Sequence, residues 1–98
     1  MTREEAIVRI KPHEGELRAA GMAALYLFGS TARGEAGPAS DVDLTCDLVA
    51  DRPIGLLDLI EMQYMLEDAV GTRIDLVERS AMRDRVVQSA FGDMVQIF

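Results

Sequence analysis

A chain of 98 residues with 10 Lys and Arg against 17 Asp and Glu carries a formal charge of −7 and enough material for one domain. That charge, with Lys11 as the sole lysine and no Lys/Arg cluster, argues against direct nucleic-acid binding, which needs basic surface to displace counterions; an acidic surface suits a basic protein partner instead. No apolar run is long enough to span a membrane, "MTREEAIVRI" lacks the pattern of a signal peptide, and Cys46 has no second cysteine to pair with, so a cytoplasmic location is expected.

Taken in chain order, Thr2 followed by Arg3, Glu4 and Glu5 predicts a helix start, with Thr2 as N-cap and acids in the first turn. Ala6, Ile7 and Ile10 would face a core, and Pro12 should interrupt the helix. A second helix is expected from about His13 to Ala20, ending at Gly21. "MAALYLF" then reads as strand one, and Val42 to Leu48 as strand two by alternation. Val42, Leu44, Cys46 and Leu48 would point one way, and Asp41, Asp43, Thr45 and Asp47 the other. After the Arg52-Pro53 turn, "IGLLDLIEMQYMLEDAVG" has helical spacing, with apolar residues at Leu56, Leu59, Ile60, Met62, Met65, Leu66 and Ala69. "RIDLVE" predicts strand three, "MRDRVVQSAFGD" a last helix, and "MVQIF" a tail or edge strand. The fold class is α/β (α+β), a small sheet with flanking helices.

Asp41 and Asp43 are same-face strand neighbours, about 6.5–7 Å apart along the backbone. Two carboxylates that close repel unless one is protonated or a cation sits between them. Mg²⁺ suits such a pair, because it takes oxygen ligands from one or two carboxylates and from substrate phosphates. Acidic pairs are also common on solvated strands, so the pair alone decides little. Upstream, Gly29 lets backbone approach a ligand, and Ser30 offers a hydroxyl and N–H groups suited to phosphate. A plain strand-to-helix turn with Ser30 as N-cap explains that stretch equally well.

The two features combine in "LFGSTARGEAGPASDVDL", where ten residues separate Ser30 from Asp41. This run resembles the G-S-x10-D-x-D signature of the DNA-polymerase-β-like nucleotidyltransferases, and within them the minimal nucleotidyltransferases (MNT) of prokaryotes. The resemblance extends from about Glu4 to Glu78 and implies a small mixed β-sheet of the polymerase-β-like nucleotidyltransferase core. It also implies the roles. Gly29 and Ser30 match the phosphate-binding turn, and Asp41 and Asp43 the metal ligands. Asp75, in "RIDLV", matches the third acidic residue of the metal site, which helps deprotonate the acceptor. Mg²⁺, in a two-ion arrangement, and ATP follow as cofactor and substrate. So does a HEPN-domain toxin as partner, silenced when the MNT antitoxin transfers AMP to one of its tyrosine hydroxyls.

Other residues have competing readings. Arg33 either touches phosphate, as a nucleotide-binding residue, or pairs with Glu35. Asp75 either serves the acceptor or pairs with Arg73 on an edge strand, and its place among apolar neighbours favours the first. Ser40 either orients Asp41 or shapes the loop. Asp47, about 13 Å along the strand from Asp43, is expected to be a solvated charge. His13 is expected to be exposed and inert, and Tyr64, the methionines of the long helix and Cys46 to be core. Two rival functions stand beside the enzyme. One is a binding module that neutralises a partner by contact alone. The other is a small-molecule nucleotidyltransferase of the aminoglycoside-modifying kind, for which a chain this short lacks the extra domain.

Overall fold

The computed structural model describes residues 2–29, 42–81 and 94–98. Helix α1 covers Arg3–Ile10, and the Thr2 hydroxyl accepts a hydrogen bond from the Glu5 N–H at 3.1 Å, as an N-cap should. Pro12 has no N–H to extend the helical ladder, and the chain passes through a 3₁₀ turn, Lys11–His13, into helix α2, Glu14–Ala20. Gly21 ends α2 in the left-handed region at φ 119°, where its N–H reaches the Arg18 carbonyl. Strand β1 follows at Met22–Phe28 and strand β2 at Val42–Leu48. Helix α3, Leu56–Val70, has the Gly55 N–H held by the Asp58 carboxylate at 2.8 Å. Strand β3 is Ile74–Glu78, a second 3₁₀ turn spans Arg79–Ala81, and β4 is Val95–Gln96. The helix expected over 82–93 lies outside the described residues.

The strands form one mixed sheet in the order β3-β2-β1-β4. β1 runs antiparallel to β2 and to β4, while β2 and β3 are parallel, joined by α3 as crossover. The register of β1 shifts between Met22 and Ala24, and the Ala23 carbonyl in the shift accepts from Arg18 Nη1 at 3.0 Å. Residues 94–98 supply the edge strand expected from "MVQIF". Leu25 exchanges backbone hydrogen bonds with Ile97 and Phe98, and Arg18 stacks over the Phe98 ring at 4.9 Å.

Alternation gives the sheet two unlike faces. Leu25 and Leu27 of β1, Val42, Leu44 and Cys46 of β2, and Ile74 and Leu76 of β3 are buried with Ala6, Ile10, Leu17, Met62, Leu66 and Val70 of the helices. All three described α-helices therefore cover one face. The other carries Tyr26, Phe28, Asp43, Thr45, Asp47 and Asp75, as the strand parity requires. Thr45 is fully buried on this polar face, and its hydroxyl donates to the Val77 carbonyl at 2.8 Å. Arg9 of α1 caps α3 through the Val70 carbonyl at 2.7 Å, tying the first helix to the third.

Along α3 the buried row is Met62, Leu66 and Val70, with Leu59 and Met65 packed beside it. Tyr64 is not core: it is 62% exposed, because it lies two residues, or 200° of helix, from both Met62 and Leu66. Leu56 and Ile60 also face outward. The expectation for stability follows. Leu66→Ala should lower unfolding free energy by about 2–5 kcal/mol, since it empties a closed core site. Tyr64→Ala should change it by about 0.5 kcal/mol or less. Urea denaturation of both variants checks the contrast, and equal losses would put the wrong face of α3 on the sheet.

Candidate active site

The polar face of the sheet, called the open face because the three described helices lie on the other, places charge by register. Asp43 of β2 pairs with Asp75 of β3, directly opposite on a parallel neighbour, so the two backbones are about 4.8 Å apart and both side chains leave the same face. Across the other edge of β2, Asp43 pairs with Phe28, the last residue of β1. Gly29 follows, with φ +74°. A Cβ built there would meet the Asp43 Oδ2 at 2.5 Å and its Cβ and Cγ at 3.3 Å. The Asp43 carboxylate thus stands in the space that any other residue at 29 would occupy. Glycine is required twice, by backbone conformation and by the carboxylate beside it.

Asp43 is half-buried and Asp75 exposed. Asp75 sits between buried Ile74 and Leu76, whose side chains point to the core, so the strand holds its carboxylate outward by parity. The alternative pairing of Asp75 with Arg73 is not found among the described residues. Of the other sequence candidates, Ser30, Arg33, Ser40 and Asp41 lie outside the described residues. No group of three His, Cys, Asp or Glu arranged to hold a metal ion occurs among the described residues. The two carboxylates that are described, Asp43 and Asp75, are an all-oxygen set that fits Mg²⁺ rather than a thiolate- or imidazole-preferring metal.

Asp47 departs from the sequence expectation of a solvated charge. Arg79 grips it with Nη2–Oδ2 at 2.7 Å and Nε–Oδ1 at 2.8 Å, and the Tyr26 hydroxyl donates to it at 3.4 Å. The Arg79 guanidinium also lies over the Tyr26 ring, 5.0 Å from its centroid. This ionic and aromatic cluster locks the end of β3 onto β2 and β1. Nothing local in the sequence announced it, since Arg79 is 32 residues from Asp47. Cys46 is buried as expected, and burial, with Glu78 and Asp47 nearby, pushes its thiol up to about 12. It stays protonated at neutral pH and offers no nucleophile. His13 lies 3.8 Å from Glu16, remote from the open face.

A family model described as a nucleotidyltransferase domain matches residues 10–97. The chain is 34% identical over 98 residues to the protein adenylyltransferase MntA of Thermococcus cleftensis, covering 99% of this chain and 97% of that one. Among solved structures it resembles one described as a minimal nucleotidyltransferase, with a TM-score of 0.81 and 28% identity over 97% of this chain and 95% of the other. It also resembles, with a TM-score of 0.63, a chain of the complex between a tri-AMPylated HEPN toxin and an MNT antitoxin of Shewanella oneidensis. That match covers 90% of this chain and 68% of the other at 19% identity, and is a likeness of fold.

The double demand for glycine at 29 is open to measurement. Gly29→Ala should cost about 1–3 kcal/mol, from the left-handed backbone and the clash with Asp43. Gly15, inside α2 with nothing within 4 Å of a built Cβ, is the control. Gly15→Ala should stabilise by about 0.5–1 kcal/mol through helix propensity. Thermal unfolding of the two variants reads both signs, and a neutral Gly29→Ala would contradict the crowding at Asp43.

Proposed function

Because this chain belongs to the nucleotidyltransferase-domain family and is a nucleotidyltransferase, we propose that it is a single-domain, Mg²⁺-dependent protein adenylyltransferase. In this reading it moves AMP from ATP to a tyrosine hydroxyl of a HEPN-domain toxin and thereby acts as the antitoxin. The observation that carries the reading is the register of Asp43 against Asp75, with Gly29 yielding space to the Asp43 carboxylate. Two further supports are the protein adenylyltransferase at 34% identity and the AMPylated toxin bound to its MNT antitoxin in a complex of like fold.

The residues divide the work as follows. By the family's pattern Gly29 and Ser30 would cradle phosphate with backbone N–H groups, and Arg33 would serve the same phosphates. Asp41, Asp43 and Asp75 would hold Mg²⁺, which when bound neutralises the triphosphate and the charge developing on it. Asp75 faces the acceptor and draws the phenolic proton. The tyrosine oxygen attacks the α-phosphorus, the bond from that phosphorus to the bridging oxygen of the β-phosphate breaks, and pyrophosphate leaves with the electron pair. A phenol suits the task, since its reference pKa of about 10 is well below that of an aliphatic alcohol. The acidic chain tolerates an anionic substrate because the cation arrives with it.

The test mixes this protein, ATP and Mg²⁺ with the product of the adjacent gene, which the reading expects to be a HEPN-domain protein, and weighs the latter by mass spectrometry. Whole AMP additions should appear and map to tyrosine. Asp43→Asn should slow them by roughly 10²–10³, the loss expected when a group stabilising developing charge is removed. Tight binding with no added mass, and neutralisation by Asp43→Asn as good as wild type, would establish contact alone as the mechanism.

A further inference from the structure

One surface feature plays no part in the chemistry above. Among the described residues the large apolar side chains left exposed are Val8, Leu56, Leu57, Ile60 and Tyr64. Four of these five lie within nine positions of α3. Leu56, Ile60 and Tyr64 stand one above another at i, i+4 and i+8, and Leu57 flanks them at i+3 and i+7 from Ile60 and Tyr64. Leu57 and Tyr64 are 76% and 62% exposed, and neither contributes to the core that Met62, Leu66 and Val70 build on the other side of the helix. An apolar stripe of this kind on one helix is the signature of an anchor row for a partner surface.

The charges around the stripe choose the occupant. Residues 56–70 contain Asp58, Glu61, Glu67 and Asp68 and no Lys or Arg. Glu61 and Asp68 are exposed and fall in one row with Leu57 and Tyr64, at 57, 61, 64 and 68. A second copy of this chain would set acid against acid along the whole contact, with no cation in the helix to answer it. A partner presenting apolar side chains rimmed by Lys or Arg answers both demands. The stripe also lies on the helical side of the sheet, whereas Asp43 and Asp75 leave the opposite face.

We infer that the exposed face of α3 is the docking surface for the acceptor protein, and that the surface it fits is apolar with a basic rim. This rests on the reading that the acceptor is a protein. It adds that holding the partner and modifying it take place on opposite sides of the sheet. A bound partner then leaves the open face clear for nucleotide, and the acceptor tyrosine reaches it on a segment or subunit that extends around the edge.

The experiment compares wild type with three variants. They are Leu57→Lys/Tyr64→Lys, Glu61→Lys/Asp68→Lys and Asp43→Asn. The probe is the product of the gene adjacent to this chain's, with association read by calorimetry at two salt concentrations and AMP transfer by mass. Mg-ATP binding by the two surface variants reports that their fold and nucleotide site persist, and thermal unfolding reports the fold of Asp43→Asn. Leu57→Lys/Tyr64→Lys should weaken association by about 30-fold or more, the loss of a central apolar anchor, while binding Mg-ATP like wild type. Glu61→Lys/Asp68→Lys should weaken it too and reduce its dependence on salt. Asp43→Asn should bind the partner normally yet transfer AMP roughly 10²–10³ times more slowly. Association untouched by the apolar pair, or strengthened by the basic pair, would overturn the proposal. So would a wild-type dimer in sedimentation that Leu57→Lys/Tyr64→Lys dissociates, or a wild type that does not bind this partner. Stripe-dependent association without any AMP transfer by wild type would leave the docking face standing and remove the adenylyltransferase reading instead.

Discussion

The parallel pairing of β2 with β3 forces two carboxylates side by side. Asp43 and Asp75 occupy matched positions on strands about 4.8 Å apart. Neither can turn away without taking its strand off the core, because Val42, Leu44, Ile74 and Leu76 on the alternate positions are buried. The hydrophobic core thus sets the repulsion. Like charges held at such range repel, and a divalent cation is the natural remedy. Gly29 belongs to the same constraint: its missing side chain is the room in which the Asp43 carboxylate stands.

The sheet resolves its acidic face in a second way farther down β2. Asp47 is answered from within the chain, by a two-pronged grip from Arg79 and by the Tyr26 hydroxyl. Asp75 has no such ion pair among the described residues. One strand therefore carries an acid that is structural and, nearer its start, an acid that faces another acid across the ladder. The sequence does not draw that distinction, since both are strand aspartates of the same parity.

Much of this was legible beforehand, for identifiable reasons. β1 and β2 have the bounds that Gly21 and the alternation in "VDLTCDL" indicate, and Thr2, Pro12, Gly21 and Gly71 punctuate the helices by local chemistry. Asp43 and Asp75 were found through spacing and resemblance, and the parallel register brings them together. Ser30, Arg33 and Asp41 carry the same motif but lie outside the described residues. The misses share a cause. α3 is apolar on two rows, and helical period alone does not say which row meets the sheet, so Tyr64 is expected inward and stands outside. Asp47 was misjudged because its partner is a long-range neighbour.

The central claim is that Asp43 and Asp75 are held together to carry a cation, and that nucleotide enters with it. Calorimetric titration of ATP into the protein, once with Mg²⁺ and once with chelator, tests this most directly. The account predicts measurable binding with Mg²⁺ that disappears in chelator, and for Asp43→Asn no gain on adding the metal. Equal affinity in both conditions would contradict it, since a triphosphate would then be approaching two adjacent carboxylates without the cation the account requires.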